Sequence, residues 1–293
     1  NHEIADKGKT IKSSSGSLPT KNPIKEGNKF LGWIRDKNAI RPDFDENTMI
    51  NGDITVYSAW QRFDFTLNGA GNVKAKIGTD GNMTISAVDP AGDKNIEREK
   101  WIDMVVATGG RNLNWGNSSF TGNIKIDNEV SLPEDSSKLF YGFKGNLIGT
   151  DKFNTSKVTN MGSMFEAAPS ANPDVSNWDT SNVTKTDVMF GGAKSASPDV
   201  SKWNMIKVTD LRHMFAGAIL ANPDVSNWDT SNVIDMSYMF EGSGIRDADL
   251  SKWDIGKVTE SDRMFDKCDR LEYVKTPIGL KTRASGVNRN FKV

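Results

Sequence analysis

Four aspartates recur at a constant interval: Asp174, Asp199, Asp224 and Asp249. Each is followed two residues later by a serine: Ser176, Ser201, Ser226 and Ser251. If like positions stack as neighbouring parallel strands do, these carboxylates lie about 4.8 Å apart. Such neighbours repel by about 1 kcal/mol in water, and something must offset that in every copy. Three chemistries would do so. Each aspartate can accept from its own serine and turn amides. Calcium can bridge copies through oxygen ligands at about 2.3–2.6 Å. A basic partner can lie along the column. The local turn is the simplest of the three and calcium a minor alternative. The aspartate and serine columns are the candidate partner-binding residues.

No other residue pattern points to catalysis. His2 lies in a polar start and His213 on an exposed position of an expected short helix. Neither has a Ser, Cys or Asp partner at a recurring spacing, and the His/Cys clusters of transition-metal sites are absent. Gly69 and Gly71 sit in a hairpin-like stretch with no following helix, which is not a phosphate cradle. The single cysteine, Cys268, shares its column with Ala168, Ala193, Ala218 and Ser243, so it reads as a small buried filler. One cysteine also excludes an internal disulfide. No enzyme activity and no cofactor are expected.

Charge narrows the partners further. A net charge of −1 gives no whole-chain field for nucleic acid or anionic lipid. No run of about twenty apolar residues exists, so membrane insertion is not expected. Neither end carries a signal peptide or sorting motif, so an exported form would be a mature or excised piece.

The elements that position the aspartates come from a repeat. ANPDVSNWDTSNV occurs at 171–183 and again, unchanged, at 221–233, with a degenerate copy, ASPDVSKWNMIKV, between them. The period is 25. Phe153, Trp178, Trp203, Trp228 and Trp253 form one column, and Val158, Val183, Val208, Val233 and Val258 a second. Met164–Phe165, Met189–Phe190, Met214–Phe215, Met239–Phe240 and Met264–Phe265 form a third. Five copies without insertion or deletion mean a stack in which like residues lie over like. The expected fold class is therefore an α/β repeat solenoid, leucine-rich-repeat-like, built of short parallel strands and short helices.

In the fourth copy 223–226 reads as a short strand. Pro173, Pro198 and Pro223 each remove an amide from the expected ladder, so that strand must be very short. Met236, Met239 and Phe240, at i, i+3 and i+4, read as one face of a helix over 235–240. Thr159, Thr184, Thr209 and Thr259 precede the same segment elsewhere and suit an N-cap. The buried column residues are expected to be Trp178, Trp203, Trp228, Trp253, Phe165, Phe190, Phe215, Phe240 and Phe265. Two further columns alternate: Asn177, Lys202, Asn227, Lys252, and Lys157, Asn182, Lys207, Asn232, Lys257. Descent from a doubled fifty-residue unit explains that alternation.

Upstream, 63–88 alternates as a hairpin with a turn at 79–82. Ile96, Trp101, Met104 and Val105 share a helical face that stops at Gly109–Gly110. Such a hairpin and helix would cap the first copy, and Phe140 marks an incomplete copy before it. Asn51–Gly52 and the alternating 53–60 indicate a small β module still further upstream. The resulting division is 1–17 a polar linker or frayed start, 18–62 the β module and 63–131 the N-terminal cap. Residues 132–275 are the repeats and 276–293 a C-terminal cap.

Two resemblances follow. The stretch PIKEGNKFLGWIRDKNAIRPDFDENTMINGDITVYSAW resembles the internalin-type B-repeat, or Listeria–Bacteroides repeat, which implies a β-grasp-like spacer. The Asp-Val/Leu-Ser-x-Trp-Asp…Val-Thr…Met-Phe pattern is similar to the BspA-like bacterial surface repeat, a leucine-rich-repeat relative. Together they imply an extracellular protein of a bacterial, Gram-positive, cell wall or surface. The implied function is adhesion: a monomeric fragment that binds a host extracellular matrix protein, a mucosal or salivary protein, or another bacterial surface protein. The alternative is a non-binding stalk that presents another domain. Glycan binding is a weaker reading, because the recurring aromatics fall on core positions.

Overall fold

The computed structural model describes residues 3–4, 9–11, 28–35, 43–45, 48, 53–62 and 64–281. At the N-terminal side four strands form an antiparallel sheet around a central strand. β1 (Glu3–Ile4), β2 (Lys9–Ile11) and β3 (Asn28–Ile34) all pair with β4 (Ile54–Arg62). Two of these strands lie within the stretch expected as linker. Val56 and Phe44 are buried, with Trp33 and Ile54 packed against them, so β4 alternates as its sequence requires. The Asn51–Gly52 turn lies outside the described residues.

A second sheet follows. β5 (Asp64–Thr66), β6 (Val73–Ile77) and β7 (Met83–Ala87) form an antiparallel meander. β8 (Ile124–Ile126) and β10 (Leu147–Ile148) extend it in parallel. β9 (Val130–Ser131) pairs in parallel with β11 (Phe153–Asn154). The α1 helix (Arg98–Ala107) buries Trp101, Met104 and Val105 and ends before Gly109 at φ 93°, as the upstream pattern predicts.

The repeats correct the expected fold class. The chain consists mainly of several small β-sheets with one α-helix among the described residues, and that helix precedes the repeats. The α/β solenoid of short strands and short helices is not formed. Where a helix is expected at 235–240, the chain makes successive turns. Tyr238 (φ 57°) and Gly242 (φ 60°) stand in the left-handed region, as do Ser163, Ala167, Val188, Gly192, His213 and Gly217 at the same two columns. A left-handed residue every fourth position interrupts an i→i−4 ladder.

The backbone amides go elsewhere. Those of Met236, Tyr238, Phe240 and Gly242 donate to the carbonyls of Glu260, Asp262, Met264 and Asp266 in the next copy, at 2.8–3.0 Å. The amides between them close turns on their own copy, as Met239 N to Met236 O and Glu241 N to Tyr238 O. The same row joins every earlier pair of copies, starting from Ser136, Lys138, Phe140 and Gly142. The threonines therefore cap nothing. Thr184 and Thr209 instead donate their amides to the carbonyl 25 residues before them.

The expected strands at the proline column fail for a local reason. Pro173, Pro198 and Pro223 leave no amide for a ladder, and these copies carry no strand there. Ala248 takes the same column in the fifth copy. There β12 (Asp247–Asp249) forms and pairs in parallel with β13 (Tyr273–Lys275).

Burial holds the copies together. The phenylalanine rings of 140, 165, 190, 215, 240 and 265 stack in sequence with centroids 5.4–5.7 Å apart. Trp178, Trp203, Trp228 and Trp253 are at most 5% exposed. Each indole Nε1 donates to a carbonyl 28 residues earlier: Thr150, Val175, Val200 and Val225 O. A large buried side chain contributes about 1.5–3 kcal/mol, and one hydrogen bond only about 1 kcal/mol net. The phenylalanine and tryptophan columns therefore dominate.

Left-handed backbone at a β-branched residue is costly, and Val188 (φ 56°) is the one such case in its column. Val188→Gly is expected to raise stability by about 1 kcal/mol through relief of that strain. Equilibrium urea unfolding checks it, and a loss of stability would contradict the strain.

Candidate functional site

Each aspartate of the repeated column sits on an exposed corner and is satisfied locally. Asp174 Oδ1 accepts from Ser176 N at 3.1 Å and Ser176 Oγ at 2.7 Å. Asp199 with Ser201, Asp224 with Ser226 and Asp249 with Ser251 repeat this, with Oγ to Oδ1 distances of 2.6, 2.7 and 2.5 Å. An aspartate followed two residues on by serine thus folds as a side-chain-capped turn. Both local bonds fall on one carboxylate oxygen. The serine bonds hold the carboxyls of Asp199 and Asp249 below the usual range. A lowered folded-state pKa stabilises the fold above the unfolded value and is lost as pH falls through the folded one.

The corner recurs elsewhere in each copy. Ser181 N donates to Asp179, Ser231 N to Asp229 and Gly256 N to Asp254. Gly162 N donates to Asn160, Arg212 N to Asp210 and Ser237 N to Asp235. Among the described residues, no group of three or more His, Cys, Asp or Glu side chains could hold a metal ion.

Asp210 makes the same corner but differs from Asp199, Asp229 and Asp249 in the direction of its shift. Burial raises its pKa, and the charges of Asp187 and Asp235 add to this. A raised folded-state pKa contributes stability below the unfolded value, about 3.9 for aspartate, that is lost as pH rises through the folded value. Asp210→Asn is expected to gain up to about 0.5 kcal/mol at neutral pH, because Asn160 makes the same turn bond in the same column two copies earlier. That gain should vanish below the unfolded pKa. Thermal melts at neutral and acid pH check both halves.

The alternating columns carry more than descent. Lys207 Nζ donates to Asn182 Oδ1 at 2.7 Å, Lys257 to Asn232 at 2.5 Å and Lys252 to Asn227 at 3.2 Å. Asn182 and Asn232 in turn donate to the carbonyls of Ser156 and Ile206. A lysine copy lying over an asparagine copy neutralises nothing but satisfies both polar ends. Two lysines in register would repel.

His213 is not on a helix. Its ring stacks on Tyr238 at 4.6 Å and 7°, and Arg263 lies 5.8 Å from the same tyrosine ring. Sequence reasoning missed this surface column although 213, 238 and 263 keep the 25-residue spacing. Both faces of Tyr238 are taken, which leaves no open ring for a sugar. Cys268 is buried, with its thiol pushed up to about 11 by that burial, and Sγ donates to Phe240 O at 3.0 Å.

A small antiparallel sheet followed by stacked 25-residue copies with corner aspartates defines a class, that of repeat proteins. Residues 2–59 match the Listeria-Bacteroides repeat domain. Residues 117–205 and 193–276 match the family described as Mycoplasma protein of unknown function, DUF285. Those two stretches overlap and together span more than half of the chain, so the chain belongs to that family. No curated protein and no solved structure matches it. The BspA-like kinship and a Gram-positive source are finer than either description. Among the described residues no helix is long and apolar enough to cross a membrane.

Proposed function

We propose that this is an extracellular surface protein of BspA-like type that binds a partner protein along its repeats. The partner is a host extracellular matrix, mucosal or salivary protein, or another bacterial surface protein. The chain acts as a monomer, without cofactor or catalytic chemistry. The observation that carries this reading is the exposed aspartate column. Asp174, Asp199, Asp224 and Asp249 spend one oxygen on their serines; the second oxygen of Asp249 faces Lys275 at 3.7 Å within the chain, and those of the other three point to a basic partner. A second reading, a spacer presenting another domain, is favoured by the continuous row of backbone bonds that joins each copy to the next.

The test is a binding screen of the intact chain against matrix and mucosal proteins, repeated with all four aspartates changed to asparagine. Asparagine keeps the turn, since Asn154 accepts from Ser156 N and Oγ at 3.1 and 2.7 Å. Saturable binding that is lost in the variant supports the column. Binding that survives removes the column from the interface, and no saturable binder favours the spacer.

A further inference from the structure

The hydrogen-bond row between copies has a direction. In this row the earlier copy donates four amides at every step and the later copy accepts on carbonyls, while the flanking bond, Thr184 N to Thr159 O and its equivalents, runs the other way. One end of the stack is therefore a row of carbonyls and the other a row of amides.

The carbonyl end is closed. Arg98 Nη1 donates to Asp135 O at 2.6 Å and Ser137 O at 2.9 Å. Trp101 and Trp115 Nε1 both donate to Leu139 O, and Trp115 N donates to Tyr141 O at 2.9 Å. All four carbonyls of the row thus have donors from the cap.

The amide end keeps the geometry of the inner copies. Arg263 (φ 53°) and Lys267 (φ 54°) take the left-handed positions that Tyr238 and Gly242 hold one copy earlier. The amides of Ser261, Arg263, Phe265 and Lys267 thereby occupy the places from which Met236, Tyr238, Phe240 and Gly242 donate. Among the described residues, no carbonyl receives them. A groove of about 870 Å³ lies beside them, between Ile255, Val258 and Ser261 of the last copy and the chain's own residues 279–281, where Ser261 Oγ donates to Lys281 O at 2.6 Å. Val258 is only half-buried, whereas Val158, Val183, Val208 and Val233 are fully buried.

We propose that this row is a docking edge for a segment of another polypeptide that offers the acceptor side of the same repeat. The contact continues the interface that already joins each copy to the next, and four carbonyls at alternate residues complete it. Adding backbone to an open edge is a general mode of peptide capture. A second whole copy of this chain does not fit. Amide end against amide end sets donors against donors, and the carbonyl row of a second copy is held by Arg98, Trp101 and Trp115. The side chains narrow the occupant further. Lys257 makes the last copy one of the lysine type, and asparagine copies follow lysine copies, as Asn232 donating to Ile206 O shows. The segment that fits therefore carries asparagine at that column, as residues 221–245 do. This surface is separate from the aspartate column.

The experiment is residue-resolved amide hydrogen exchange on the intact chain, with and without a peptide of the sequence of residues 221–245. In the free chain the amides of Ser261, Arg263, Phe265 and Lys267 should exchange at least about 100-fold faster than those of Met236, Tyr238, Phe240 and Gly242. The peptide should slow the first set by about tenfold or more, and a scrambled peptide of the same composition should not. Slow exchange in the free chain would mean that the chain covers its own edge, and would overturn the proposal. So would rates that the peptide leaves unchanged, or that the scrambled peptide slows equally.

Discussion

Phe215→Ala is expected to destabilise the fold by about 3–5 kcal/mol. The ring is fully buried and stacks between Phe190 at 5.6 Å and Phe240 at 5.7 Å, nearly parallel to both. It also tilts against Trp228 at 6.5 Å. Truncation removes the contact to both neighbouring copies at once and leaves a cavity that the fixed 25-residue spacing cannot close. A stack of copies is stabilised mainly by its nearest-neighbour interfaces, so a break at one copy weakens two. Urea unfolding followed by tryptophan fluorescence gives the magnitude. Phe215→Leu, which keeps most of the volume, should cost roughly 1.5 kcal/mol or less. A loss below that for the alanine variant would mean that the ring column does not hold the copies together.

The second large effect lies at the cap. Trp101→Ala is expected to cost a further-reaching 3–5 kcal/mol, roughly the range for a buried aromatic. Trp101 is fully buried and packs edge-on against Phe140 at 5.3 Å and against Trp115 at 6.4 Å. Leu139 O keeps its second donor, Trp115 Nε1 at 2.7 Å, so the loss is one of packing rather than of a stranded carbonyl. The two variants differ in where they open the chain. Phe215→Ala should speed exchange on both sides of the third copy, whereas Trp101→Ala should speed it first at the amides of 136–142. Hydrogen exchange separates these patterns, and uniform acceleration in Trp101→Ala would show that the helix caps nothing.

The cap also shows how far the sequence pattern reached. The apolar face of Trp101, Met104 and Val105 was legible, because helical spacing and the following glycines are local signals. The same holds for the buried columns at 178, 203, 228, 253 and 165, 190, 215, 240, 265. The Asp-x-Ser corner was equally legible, since both partners lie within three residues. The role of Arg98 and the two indoles in closing a carbonyl row was not legible. Those acceptors lie 24–39 residues away and exist only once the copies stack.

The sequence by itself determined the period, the residues that turn inward and the corners that turn outward, because each follows from spacing along one chain. Only the tertiary structure decided that the Met-Phe segment is a run of turns and not a helix. Apolar residues at i, i+3 and i+4 suit either form over so short a stretch. The choice falls to the turns because the adjacent copy offers carbonyls to alternate amides, and the left-handed residues that aim those amides outward are incompatible with a helix.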